Sequence, residues 1–295
     1  LTSGPKYVSE KEKELNMIFH FDHLTIDFGS DGKYDPVPYD FIKFKEIFTQ
    51  WDKALENGGW NSIFLGNHDF SRIVSRFGND KKYREESAKL LITLLMTLRG
   101  TPYIYQGDEI GMTNISHPSI NDYNDVESLN AWVDAKNNGA NMKEFLKAIH
   151  WQSRDNARTP MQWTDKKNAG FTTGNPWIKL NKNYKEINVE NSEKDKNSIL
   201  NYYRQMISFR KKYPCLVYGS FKDLLPEHDK LFFYERIYNE EQFLIIHNFS
   251  NSYTRWKNEN SQYVKIKSNY KYIQKQKTKE IKKCASSSKV WLVFL

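Results

Sequence analysis

The sequence is short of cysteine: its 295 residues contain two. Cys215 and Cys284 stand too far apart for a metal-ligand spacing, which argues against a zinc module or disulfide framework and leads us to expect reduced thiols and a cytoplasmic location. No apolar run approaches the roughly 20 residues of a membrane span, and no signal-peptide pattern follows Leu1, so no membrane partner is expected. Internal repeats and low-complexity tracts are also missing. What remains is a globular chain long enough for one large domain and a small one. Acidic residues are the minority, with 36 Asp and Glu against 44 Lys and Arg, and the resulting net charge of +8 requires an anionic partner to be considered. The lysines concentrate between Lys257 and Lys283, where aromatic residues are sparse, and the stretch reads as a solvated, lysine-studded edge rather than a nucleic-acid surface.

Aromatic residues, by contrast, make up 15% of the chain, and the stretch Trp60 to Asp80 organises the rest. Trp60, Ile63, Phe64 and Leu65 form a short apolar run bounded by Gly58-Gly59 and Gly66-Asn67, which reads as a buried strand. Asn67, His68 and Asp69 follow directly, at the carboxyl end of that strand, where parallel α/β folds carry their active sites. Arg72 and Arg76 lie close enough in sequence to be expected as the opposite charge for Asp69. Around this stretch, Leu15 to Phe21 reads as a strand and Gly29 to Pro38 as a turn-rich loop. Asp40 caps a helix with Phe41, Phe44, Phe48, Trp51 and Leu55 on one stripe. A helix is expected from about Tyr83 to Leu98 and a strand over Thr101 to Tyr105. Strands alternating with helices in this way predict a parallel sheet with helical crossovers.

Gly111 to Tyr184 reads as a long and mostly irregular stretch, and loops of that length in a compact domain are usually functional. A helix is predicted from about Ser198 to Lys212. Beyond Pro214 the character changes: Leu231 to Tyr238 and Gln242 to Phe249 are β-rich runs separated by Asn239-Glu240-Glu241, a hairpin pattern. The expected division is therefore 1–213 and 214–295.

Three groups of residues call for a joint explanation: Asn67-His68-Asp69, the acids Asp108, Glu109 and Glu127, and the run Arg154 to Trp163, RDNARTPMQW. Carboxylates beside arginines and aromatic rings suit a sugar, whose hydroxyls need hydrogen-bonding partners and whose apolar face needs a flat surface. On the residues alone this is a carbohydrate site of unspecified activity.

NHDFSRIVSRFGND, GTPYIYQGDEIGMTN, NDVESLN, RDNARTPMQW, NAGFTTGNPWI and NYKEIN together resemble the family 13 glycoside hydrolases, in the branch of α-glucosidase, oligo-1,6-glucosidase and trehalose-6-phosphate hydrolase. The resemblance runs from about Glu14 to Phe249. It implies an α/β fold, the C-terminal part of a (β/α)8 TIM barrel (about strands 6–8) followed by a small antiparallel, sandwich-like β-domain. It further implies retaining hydrolysis of α-glucosidic bonds in short oligosaccharides, with no cofactor and no metal. Carried over by motif, Asp69 would stabilise the oxocarbenium-like transition state and His68, with Asn67 beside it, would bind the same sugar. Arg154 and Arg158 would hold hydroxyls and acids at the non-reducing end, and Glu127 would shape the aglycone side. Asp108 and Glu109 would border the pocket.

Departures from the family pattern carry information as well. Retaining hydrolysis needs a nucleophile and an acid/base carboxyl about 5–5.5 Å apart, and in this family both come from strands preceding those seen here. The chain is therefore expected to be inactive alone and to associate through exposed barrel edges. The family's calcium-type loop and the domain inserted after its third strand are also missing. Asp69-Phe70-Ser71-Arg72 replaces the commoner Asp-Gln-Pro-Arg, which bears on linkage preference. Trehalose-6-phosphate hydrolase is the alternative activity, although no phosphate ligand can be named, and a non-catalytic sugar-binding remnant is the alternative outside enzymes.

Overall fold

The computed structural model describes residues 4–252, 266–268 and 289–294. The chain begins with α1 (Gly4–Tyr7), β1 (Ile18–Phe19), the hairpin β2 (Phe28–Gly29) and β3 (Gly32–Pro36), and α2 (Phe41–Leu55). It continues through β4 (Asn61–Ile63), α3 (Ile73–Phe77), α4 (Arg84–Thr97) and β5 (Thr101–Pro102). Helices α5 (Val126–Asn137), α6 (Met142–Gln152), α7 (Asp155–Arg158), α8 (Val189–Lys194), α9 (Ile199–Lys212) and α10 (Pro214–Tyr218) follow. The last elements are strands β6 (Ser220–Asp223), β7 (Leu231–Tyr238), β8 (Glu241–Asn248), β9 (Ile266–Ser268) and β10 (Lys289–Phe294).

Strands β1, β4 and β5 form a parallel sheet in that order, with Phe19 beside Ser62 and Ser62 beside Thr101. Helix α2 crosses from β1 to β4, and α3 with α4 crosses from β4 to β5, so the three strand ends bearing polar loops point the same way. The expected helices form for the expected reasons. The Asp40 carboxylate accepts from the amides of Ile42 and Lys43, capping α2, and Phe44, Ile47, Phe48, Trp51 and Leu55 bury its inner stripe. Ser198 caps α9 through the Asn201 amide. Helix α4 is different: from Leu90 to Thr97 every residue is buried. A helix covered on all sides needs no amphipathic stripe, and one interior takes in its Leu91 and Leu94, Phe44 of α2, Met206 of α9, and Phe232, Tyr234, Phe243 and Ile245 of β7 and β8.

Strands β6, β7 and β8 form an antiparallel meander, and β10 then pairs with β8 in parallel, with β9 beyond it. The turn between β7 and β8 is the expected one, with Asn239 in the left-handed region at φ 52°. The lysine-rich stretch Lys257 to Lys283 falls almost wholly outside the described residues, as does Cys284. Cys215 is buried and unpaired.

Two expectations change. Gly29 to Pro38 is largely the β2–β3 hairpin rather than a loop, and the Gly111 to Tyr184 stretch contains the helical pair α5–α6. Caps start both helices, since Asp125 accepts from the Glu127 amide to start α5 and Asn141 accepts from the Lys143 and Glu144 amides to start α6, and α6 also packs Phe145, Leu146 and Ile149 into a small core. Only Ser128 of α5 is buried, which is why hydrophobic periodicity gave no signal there.

One face of the parallel sheet is apolar and open. Phe19 (42% exposed) in β1, Phe21 (51%) just beyond it and Tyr103 (40%) just beyond β5 are exposed, and the rings of Phe19 and Tyr103 meet at 4.7 Å. An exposed apolar sheet face with unpaired flanking strands favours association. The isolated chain is expected to self-associate, and Phe21→Asp with Tyr103→Asp should lower its mass in light scattering across a concentration series. A parent chain that stays monomeric throughout would refute this.

Candidate active site

The carboxyl end of β4 delivers the polar cluster. Ile63, Phe64 and Leu65 are buried, and the chain turns at Gly66 into Asn67. The Asn67 side-chain oxygen accepts from the Asp69 amide at 2.8 Å, a local turn that raises the Asp69 carboxylate from the end of the strand. His68 Nε2 lies 3.2 Å from Asp69 Oδ2. On the other side, Arg158 straddles the turn: its Nη2 donates to Asp69 Oδ1 at 2.7 Å and its Nε to the His68 carbonyl at 2.9 Å. Arg154 Nη1 is 3.9 Å from the same Asp69 oxygen.

Arg154 is itself held from behind. Asp125 Oδ1 accepts from its Nε and Nη2 at 2.8 and 2.5 Å, and Asp125 Oδ2 accepts from its main-chain amide at 3.0 Å. The Arg154 Nε also lies 3.3 Å from Glu127 Oε2, and Lys33 of β3 reaches that oxygen at 2.6 Å. His68, Asp69, Arg158, Arg154, Glu127 and Lys33 are thus linked along a half-open surface, with the two arginines sharing Asp69 and with Arg154 and Lys33 sharing Glu127. Of the residues singled out from sequence, His68, Asp69, Glu127, Arg154 and Arg158 come together here, with Asn67 acting on the backbone of the turn. A separate groove of about 840 Å³ lies between Tyr34–Tyr39 and α6, with Asp27 and Arg76 among its lining residues, and does not include Asp69.

The two arginines nearest Asp69 in sequence are not its partners. Arg72 donates to the carbonyls of Gln106, Asn156 and Ala157, while Arg76 pairs with Asp27. Arg72 precedes the first residue of α3 and Arg76 lies in its last turn, and both are buried, at 2% and 3% exposure. Their side chains run beneath the loops, and the partners of Asp69 arrive from almost ninety residues downstream. Asp108 and Glu109 serve the loop after β5. Burial pushes the Asp108 carboxyl up to about 7 against the pull of Arg72, and Glu109 accepts from the Gly107 amide at 2.7 Å.

Sequence reasoning missed Asp125 and Lys33. The cap position at the head of NDVESLN was the available signal for Asp125, since a buried N-cap carboxylate has a second oxygen free to take a cation. Burial disfavours its charged form, but hydrogen bonds from the Arg154 side chain and amide and from Ser128 outweigh that cost, so its pKa lies below the ordinary carboxylate value. The same contact raises Arg154. A depressed folded-state pKa contributes stability above the unfolded value, near 4, and loses it as pH falls through the folded one. Asp125→Asn is therefore expected to cost about 2–3 kcal/mol at neutral pH, with the deficit closing towards pH 3 in denaturant titrations. A deficit independent of pH would contradict the ion pair.

A profile described as the alpha-amylase catalytic domain matches residues 3–219. The oligo-1,6-glucosidase of Parageobacillus thermoglucosidasius is 48% identical over 248 residues, covering 84% of this chain and 44% of that protein. The Bacillus cereus oligo-1,6-glucosidase is 49% identical over 245 residues, 83% of this chain and 44% of the relative. The solved structure of Bacillus licheniformis trehalose-6-phosphate hydrolase superposes with a TM-score of 0.81 at 42% identity, over 84% of this chain and 45% of that one. The chain spans a little under half the length of the relatives it matches, and its parallel strands with their crossovers are part of a TIM barrel followed by a small β-domain. It belongs to the α-amylase family, the family 13 glycoside hydrolases.

Proposed function

We propose that this chain supplies the sugar-clasping side of an α-glucosidase acting on short oligosaccharides, of the oligo-1,6-glucosidase type. The observation that carries the reading is the Asp69 carboxylate between Arg158 and Arg154, at the carboxyl end of a parallel strand. A carboxylate fixed there accepts hydrogen bonds from sugar hydroxyls and opposes the positive charge that develops at the anomeric carbon, an interaction strongest in the transition state. His68 shares the same sugar, and Glu127 with Lys33 offers acceptor and donor to the neighbouring unit.

The nucleophile and the acid/base are assigned to barrel segments outside the matched region. Retention needs those two carboxyls about 5–5.5 Å apart, whereas Asp125 and Glu127 are both engaged with Arg154. In this reading residues 1–213 belong to the catalytic barrel and 214–295 to the β-domain. Isomaltose and similar oligosaccharides are the substrates, and the location is cytoplasmic. No helix among the described residues is long and apolar enough to cross a membrane.

Two measurements test the reading. The isolated chain should release no glucose from isomaltose, maltose or a nitrophenyl α-glucoside, and turnover abolished by Asp69→Asn would overturn that statement. A chimera carrying the preceding part of an oligo-1,6-glucosidase relative ahead of Leu1 should hydrolyse isomaltose, and Asp69→Asn in it should lower kcat by about 100-fold or more. Preference for phosphorylated over plain trehalose would move the assignment to trehalose-6-phosphate hydrolysis. Sugar binding without turnover in the chimera would favour a non-catalytic remnant.

A further inference from the structure

Arg72 lies three residues beyond Asp69, is 2% exposed, and carries a guanidinium whose hydrogen bonds go to main-chain carbonyls. Its Nε donates to Asn156 O at 2.9 Å, its Nη2 to Ala157 O at 3.1 Å and its Nη1 to Gln106 O at 2.6 Å. Three separate segments meet on one planar group: the turn that bears Asp69, the loop after β5, and the short helix that bears Arg158. The Ala157 carbonyl belongs to the peptide bond leading into Arg158, and the Tyr105 hydroxyl donates to the same oxygen at 3.1 Å. The fit is close. A Cβ at Gly107 would come within 2.8 Å of Arg72 Nη1, so the loop passes the guanidinium at a distance only glycine permits.

Arg72 is anchored in turn, because its own amide donates to the Asn114 side chain at 2.8 Å. The Asn156 side chain accepts from the Ile115 amide at 2.8 Å and donates to the His150 carbonyl at 3.0 Å. The peptide preceding Arg158 is therefore held from several sides, and Arg72 is the contact that ties it to the segment bearing Asp69.

We propose that Arg72 is a positioning residue: its forked guanidinium fixes the Asn156–Ala157 backbone so that Arg158 closes on Asp69. The consequence for turnover rests on the α-glucosidase reading, whereas the consequence for Arg158 geometry does not. Lysine keeps the charge but cannot form the planar fork across two segments, so Arg72→Lys separates position from charge.

In the intact chain, nitrogen-15 relaxation of the Arg158 Nε–H group should show lost order in Arg72→Lys, with the exposed Arg204 unchanged as internal control. An Arg158 signal equally ordered in the variant overturns the proposal. In the active chimera, Arg72→Lys should lower kcat/KM by about 10- to 100-fold, the scale of a misplacement near 1 Å. It should do so with the same division between KM and kcat as Arg158→Ala, and add little in an Arg158→Ala background. Losses that multiply in the double variant would assign Arg72 a general role in stability instead. Should Arg72→Lys fail to fold, Tyr105→Phe, which removes the second donor on Ala157 O, must give a smaller loss that vanishes with Arg158→Ala, and a neutral result there overturns the proposal. A chimera without turnover refutes the α-glucosidase reading and leaves the relaxation experiment decisive for Arg72.

Discussion

Backbone carbonyls at the ends of helices and in irregular loops become buried in this chain, and buried cations satisfy them. Arg72 serves three such oxygens beside the candidate site. Arg210 serves Met96, Leu98 and Gly100 at and beyond the end of α4 together with Leu216 of α10, and Arg236 serves Thr97, Leu216, Gly219 and Ser220. Lys45 does the same for Leu225, Leu231 and His228 under the loop between β6 and β7. A hydrogen bond from a charged donor contributes about 1.5–3 kcal/mol, and deleting such a donor leaves several acceptors unsatisfied at once. Irregular backbone beside the helices and strands is thus held by side chains rather than by ladders, as where Arg72 takes the carbonyls of Gln106, Asn156 and Ala157.

The candidate site shows the complementary arrangement. There the guanidinium groups face carboxylates, and the row is half exposed, so its polar atoms remain available to a ligand. Arg154 connects the two regimes. Its Nε and Nη2 are committed to buried Asp125, with Glu127 also near Nε, and its Nη1 faces Asp69. Preorganisation of this kind places charge before a substrate arrives, which lowers the reorganisation needed when charge develops in a transition state.

Much of the scaffold was legible from sequence because its signals were local. Asp40 before an apolar stripe, Ser198 before α9 and the Asn239 turn each act within a few residues. The site was legible in part. The Asn-His-Asp turn announced itself by ending a buried strand, but Arg72 and Arg76 were expected to pair with Asp69 because sequence proximity was the only information available. Which arginine meets which acid depends on how α3 tilts beneath the loops, and that is a property of the packed chain. Helix α5 escaped notice for a related reason, because a helix stabilised by its cap and polar contacts leaves little trace in hydrophobic periodicity, whereas α6 did carry a stripe in Phe145, Leu146, Ala148 and Ile149.

Helix α4 carries a consequence of its own. One wall around it comes from the parallel sheet and its crossovers, and another from β7 and β8, where the Tyr234 hydroxyl meets that of Thr97 at 2.5 Å. The carboxyl-terminal strands are therefore not a detachable appendage to the barrel portion. A side chain changed in the meander alters the seating of the very helix that leads into β5, so a substitution on either side of this shared interior is felt on the other.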